Sequence, residues 1–175
     1  GTKLYQAGDT YEITAQGVKF TAKWEARNDT PYKVEHYLES LDGAYTLDTT
    51  EPLKGTTDTT ATAAAKSYDN FTYDSTVPGT VTSGVIAGDG SLVLKLYYTR
   101  NIYDYTVRHI KQLPDGSYDE ANAEVEKLSG KFEALATVIA KDYGPHYPTN
   151  DAATKQNIKI EKNLTIDVKY DLDYH

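Results

Sequence analysis

Four histidines, several close carboxylate pairs and a surplus of tyrosine are the residues here whose types and spacing could do chemistry. His36 and His109 stand at matching places in two similar segments, YKVEHYLE and YTVRHIKQ. Imidazoles ligate metals and switch with pH, but each segment holds a single His, with no Cys or second His clustered beside it as a zinc site requires. The expected role is a core histidine bonded to a neighbouring carbonyl. Asp171 with Asp173, and Asp119 with Glu120, have the spacing of acid–base pairs, yet solvated turns and strand faces account for them. AGDGS at 87–91 and AGDT at 7–10 lack the dense oxygen spacing of a calcium loop and read as turns. The chain carries no phosphate loop, dinucleotide fingerprint, nucleophile elbow or zinc motif. The expectation is a protein that is not an enzyme, with no catalytic residues, no cofactor and no metal site.

The tyrosines support a sharper hypothesis. There are 16 of them against 3 Phe and 1 Trp, and a Tyr ring offers an apolar face with a polar tip. Tyr73, Tyr97, Tyr103 and Tyr147 are the candidates for exposed rings that stack on sugars or contact protein. The competing reading has tyrosine covering sheet edges and module joints.

Tyr, Thr and Val suit pleated, half-buried surfaces, so the elements that must position these residues are strands. Self-similarity organises them. Tyr32, Val34, His36, Asp42, Gly43 and Tyr45 recur as Tyr105, Val107, His109, Asp115, Gly116 and Tyr118. Leu53, Gly55, Ala61, Thr62, Ala65, Lys66 and Tyr68 recur as Leu128, Gly130, Ala136, Thr137, Ala140, Lys141 and Tyr143. Leu92, Leu94, Leu96 and Tyr98 recur as Leu164, Ile166, Val168 and Tyr170. The changes of spacing are expected in loops, where insertions cost little.

Within each copy the period is that of a strand with one wet side. Tyr32, Val34, His36 and Leu38 alternate with Lys33, Glu35, Tyr37 and Glu39, and Asp42-Gly43 and Asp115-Gly116 are hairpin turn signals. Residues 56–66 and 131–141 fit either a few helical turns or another strand. The fold class read from these patterns is mainly β (α+β): two tandem modules, 30–102 and 103–175, with short or no helix. The joints, EARNDTP and TRNIYD, are too short for free tumbling, so an end-to-end rod is expected. Residues 1–29 do not match the repeat. They hold two strand-like runs, Tyr11–Thr14 and Val18–Trp24, expected as a two-stranded remnant.

The chain has no Cys and no Met, which suits an oxidising exterior. Its net charge of -8 disfavours nucleic acid and anionic membrane surfaces. No apolar run is long enough to span a bilayer. Because it opens on Gly1 without Met, it is expected to be a processed or excised piece of a longer protein.

LYQAGDTYEITAQGVKFTAKWE resembles the C-terminal half of an internalin-type B repeat (Listeria–Bacteroides repeat), with Ala22, Lys23 and Trp24 at its ending. YKVEHYLESLDGAY, KSYDNFTYD and SLVLKLYY, then YTVRHIKQLPDGSY, KDYGPHYP and LTIDVKY, resemble mucin-binding-protein (MucBP)-like repeats of Gram-positive surface proteins. The second copy departs further, with KLSGKFEALA in place of a Thr-rich stretch and no counterpart of AGDGS before its last strand. The resemblance implies β-grasp-like modules in an extracellular, cell-wall-anchored adhesin, with the anchor outside this piece. Three functions follow as expectations: a stalk whose partners are neighbouring repeats, a binding module for host mucin or glycoprotein, or an accessory region of a secreted enzyme. Fold alone does not choose among them.

Overall fold

The computed structural model describes residues 5–6, 8–12, 21–150 and 157–173. Among them the elements are all strands: β1 (Thr30–Glu39), β2 (Tyr45–Gly55), β3 (Thr60–Thr62), β4 (Phe71–Tyr73), β5 (Ser83–Val85), β6 (Val93–Arg100), β7 (Ile102–Lys111), β8 (Glu124–Lys131) and β9 (Leu164–Tyr170). The fold is mainly β. Neither ambiguous stretch is helical: β3 pairs antiparallel with β5, and Leu135 bridges Lys159 in the second copy. Of the two N-terminal runs expected as strands, residues 13–20 lie outside the described residues. The flanking 11–12 and 21–24 form no strand.

Two sheets share one plan. In the first, ordered β2-β1-β6-β4, β1 pairs antiparallel with β2 and parallel with β6. In the second, ordered β8-β7-β9, β7 pairs antiparallel with β8 and parallel with β9. Each hairpin turns at an Asp-Gly whose glycine, Gly43 or Gly116, has φ of 86°, a conformation that costs a residue with a Cβ. A parallel pair cannot be closed by a hairpin and needs a long crossover. Here the crossover lies over one face of the sheet and closes the core. The first core gathers Val34, Ala61, Ile86, Leu94, Leu96 and Tyr98, and the second Tyr105, Val107, Ile160, Ile166, Val168 and Tyr170. Gly55 and Gly130 are the positions where the crossover presses hardest on the sheet. A Cβ on either would stand 2.4 Å from Cδ1 of Ile86 or Ile160.

Two expectations are corrected in detail. The last strand of the second copy does have a turn before it: Asn163, at φ 63°, occupies the left-handed conformation that Gly90 takes at φ 75°. Asn tolerates that region through its short polar side chain, so EKN replaces AGDGS. The charged face of β1 is also not uniformly wet. Glu35 is 7% exposed, with the Tyr37 hydroxyl donating to it at 2.7 Å and Lys33 paired to it at 2.6 Å. That bond pushes the Tyr37 hydroxyl up to about 12.

His36 and His109 sit in the cores, as expected, but their partner is a tyrosine hydroxyl rather than a carbonyl. His36 Nδ1 lies 2.9 Å from Tyr98 Oη, and His109 Nδ1 lies 2.7 Å from Tyr170 Oη. The same hydroxyls accept from the crossover backbone, Lys66 N at 2.9 Å and Lys141 N at 2.7 Å. Each tyrosine thus ties the last strand, the first strand and the crossover together. Burial raises both hydroxyls above the ordinary phenol range, so each keeps its proton to donate to Nδ1. Tyr98→Phe leaves a buried N–H and a ring nitrogen unpaired and is expected to lower stability by about 1–3 kcal/mol. Tyr73→Phe is the control. Urea denaturation compares them, and equal midpoints for the two variants would defeat this account of the tyrosine.

Candidate functional site

The first and second sheets are joined where β6 passes into β7. β6 ends at Arg100 and β7 begins at Ile102, leaving Asn101 as the whole connection. With so little chain between them, the ends of the sheets meet, and the residues there are mostly polar. Arg100 is the hub. Its main-chain N donates to Glu39 Oε2 at 2.9 Å, and its Nε donates to the Glu39 carbonyl at 2.9 Å. Across the joint, one terminal guanidinium nitrogen donates to the Phe132 carbonyl at 3.1 Å and to Glu133 Oε2 at 2.8 Å. The guanidinium also lies 5.0 Å from the centre of the Phe71 ring. Lys131 completes the charge pattern, its Nζ donating to Glu39 Oε1 at 2.6 Å.

Backbone bonds continue the linkage. Asn101 N donates to the Asn70 carbonyl and Phe132 N donates to the Asn101 carbonyl, both at 2.9 Å. Tyr103 Oη donates to Asn70 Oδ1 at 2.9 Å, and Thr72 Oγ1 to Asn101 Oδ1 at 2.7 Å. The connecting residue is therefore held by both sheets. At the entry to the first sheet the main chain is tied in the same way, with Thr57 N donating to the Arg27 carbonyl at 2.8 Å.

Electrostatics favour the ionised joint. Burial works against a charge on Glu39, whose side chain is 11% exposed. The Lys131 ammonium and the Arg100 N–H outweigh it and hold the carboxyl below its ordinary range. Arg100 does the same for Glu133 by hydrogen bonding.

The four sequence-predicted tyrosines do not converge. Tyr73 packs on the first core, with its ring 5.8 Å from that of Tyr98. Tyr147 packs on the second core beneath Lys111, 5.3 Å away. Tyr103 stands at the joint. Tyr97 belongs to an aromatic group on the other face of the first sheet, stacked on Tyr37 at 4.9 Å and edge-on to Tyr45 at 5.2 Å. All four are half-buried. Among the described residues, no group of three or more His, Cys, Asp or Glu could hold a metal ion, and no helix is long and apolar enough to cross a membrane. The Asp-containing turns cap themselves, Asp89 Oδ1 accepting from Ser91 N at 2.9 Å and Asp9 Oδ2 from Gln6 N at 2.8 Å.

Sequence reading missed Arg100, Glu39, Asn70, Lys131 and Glu133 as a set, because their partnership crosses up to 92 positions. The brevity of TRNIYD was the one signal that pointed to this place. No protein-family model matches the chain, and no curated protein matches it.

The joint has a pH signature. Glu39 has a folded-state value below its unfolded one, so its contribution is complete above the ordinary carboxylate range. It is lost as the pH falls through the folded value. Glu39→Gln keeps the acceptor for Arg100 N while removing the charge. It is expected to cost on the order of 1–2 kcal/mol at neutral pH, discounted for the partly exposed Lys131. The gap to the parent protein should narrow towards ~pH 3, as followed by urea midpoints across the range. A gap that stays constant with pH would contradict the ionised joint.

Proposed function

We propose that this chain is a non-catalytic, extracellular repeat region of a bacterial cell-surface adhesin, and that it acts as a stalk or spacer. The observation that carries the reading is the joint: one connecting residue, Asn101, bonded on both sides and clamped by Arg100, Glu39, Lys131 and Glu133. A spacer must transmit distance, and a linker of flexible residues would coil instead. Separate cores add a second support, since each sheet buries its own apolar face and asks of its neighbour only a fixed direction. The absence of Cys and Met fits service in an oxidising exterior. The likeness of both copies to MucBP-like repeats supplies the cell-surface, Gram-positive, wall-anchored setting, with neighbouring repeats of the same chain as partners.

The spacer reading makes a physical demand. The protein should scatter X-rays in solution as an elongated particle, about 60 Å long if each module is roughly 30 Å across. Arg100→Ala should broaden the distribution of distances without unfolding either sheet. Residual dipolar couplings that give the two sheets unrelated alignment tensors in the parent protein would rule the spacer out.

A further inference from the structure

The order of strands fixes how each sheet responds to a pull. The chain enters the first sheet at Thr30 on β1 and leaves it at Arg100 on β6. It enters the second at Ile102 on β7 and leaves past Tyr170 on β9. In both sheets those two strands are immediate neighbours and run parallel. Entry and exit therefore stand at opposite ends of one strand pair. Tension along the chain draws the first strand back towards its start and the last strand on towards its end. The pair must slide rather than peel, so the evenly spaced bonds between its strands take the load together. Had the two strands run antiparallel, entry and exit would lie at one end and the bonds would open one at a time. The other long strands, β2 and β8, lie outside this path, on the far side of the first strand.

The details of the pair oppose sliding. Lys33–Leu38 face Val93–Tyr98, and Tyr105–Lys111 face Leu164–Tyr170. A slip of one residue turns a strand's buried side chains to the wrong face. Here those are Leu94, Leu96 and Tyr98, then Ile166, Val168 and Tyr170, each no more than 1% exposed. The tyrosine–histidine bonds run diagonally across the pair. The strand partner of His36 is Leu96, two positions before Tyr98, and that of His109 is Val168, two before Tyr170. Each bond thus has a component along the direction of slip, and tension stretches it at once.

The ladders are also fastened at their ends. Lys33 N donates to the Leu92 carbonyl at 3.1 Å where the first pair begins, and Gln112 N to the Tyr170 carbonyl at 2.9 Å where the second finishes. Past the last paired residues a side chain of the first strand takes over. Glu39 Oε2 accepts from Arg100 N at 2.9 Å, and Gln112 Oε1 from Leu172 N at 3.1 Å. The acid and the amide differ in charge but hold the same place, so what recurs is the fastening across the pair.

We propose that each module is a tension-bearing element, in which the parallel pair of first and last strands works as a shear clamp against a pull along the chain. The source of the pull rests on the stalk reading, whereas the clamp itself does not. With Asn101 alone between β6 and β7, the load passes from one clamp into the next without slack. The force that parts a module is governed by its unfolding rate rather than by equilibrium stability, so the two can be measured apart.

The test is single-molecule force spectroscopy on the whole chain, which has no cysteine of its own to compete with introduced handles. One protein is held through cysteines added to its two ends. The other is held through Asp29→Cys and Ser91→Cys, which precede β1 and β6 at the same end of the pair. The first geometry shears both clamps and the second peels the first sheet. Pulled from its ends, the chain should give two unfolding events, each at a force at least about twofold above that of peeling. Tyr98→Phe, which cuts a diagonal bond, should lower the force of one event. Leu53→Ala on β2, off the path, should leave both forces as in the parent, whatever it does to the urea midpoint. A smaller ratio between the two geometries overturns the proposal, as do unchanged forces in Tyr98→Phe or weakened ones in Leu53→Ala. Elongated scattering without the difference in force would sink the clamp and leave the stalk standing; the difference in force with compact scattering would do the reverse.

Discussion

Everything in each sheet depends on a tyrosine hydroxyl that faces three ways. The first and last strands of a copy run parallel, and a parallel pair has no short connection to hold it in register. Among the described residues the intervening crossover has no regular helix to satisfy its own backbone, so its polar groups need partners from elsewhere. Tyr98 and Tyr170 meet that need from the last strand, accepting from the crossover at Lys66 or Lys141 and donating to a histidine on the first strand. The bond lies in a dry interior, where a satisfied polar network fixes one arrangement and an unsatisfied one is penalised heavily. Sheet, crossover and core are mutually placed by this one contact.

That constraint explains which residues recur and which are free to change. Lys66 and Lys141 each supply a backbone N–H to the tyrosine and an ammonium to a glutamate, Glu51 or Glu126. These ammonium groups hold the glutamates below the ordinary carboxylate range. Gly55 and Gly130 recur because an isoleucine end occupies the space a Cβ would need. Turns need a backbone angle rather than a side chain, so Gly90 and Asn163 are interchangeable there.

How much of this was legible in the sequence depends on the range of the interaction. The alternation of Tyr32, Val34, His36 and Leu38, the Asp-Gly turns and the closing runs SLVLKLYY and LTIDVKY encode strands within a few residues, and those elements stand where the pattern places them. His36, Lys66 and Tyr98 also recur together with their counterparts, so their identity as a set was readable, though not the bond that joins them. The crossover was not readable. Ala-rich stretches satisfy helix and strand periods equally, and what decides between them is the pairing of Thr60–Thr62 with residues more than twenty positions away. Nor do the four tyrosines form one surface. Ring chemistry marks them as contact residues, but whether a ring meets solvent or its own core is set by the sheet face on which it falls. Glu39 shows the same limit: it ends a charged alternation and reads as a solvent-facing residue, yet the next sheet covers it to 11% side-chain exposure.

The polarity of the joint follows from the separateness of the cores. An apolar joint would bury more surface and add more stability, but dispersion and the hydrophobic effect have little directionality, and such a seam could slide. It would also leave an apolar patch on each sheet while the other was still unfolded. Arg100, Glu39, Lys131 and Glu133 avoid both problems. Replacing a buried ion pair by apolar residues often leaves stability unchanged or improved, so a cluster of this kind is poor evidence of stability and better evidence of a selected geometry. The second sheet carries the comparison within the same chain. Gln112 stands where Glu39 does and accepts from Leu172 N at 3.1 Å, so the main-chain cap is kept where the charge is not. The cap belongs to the fold of each sheet. The charges are added where one sheet meets the other.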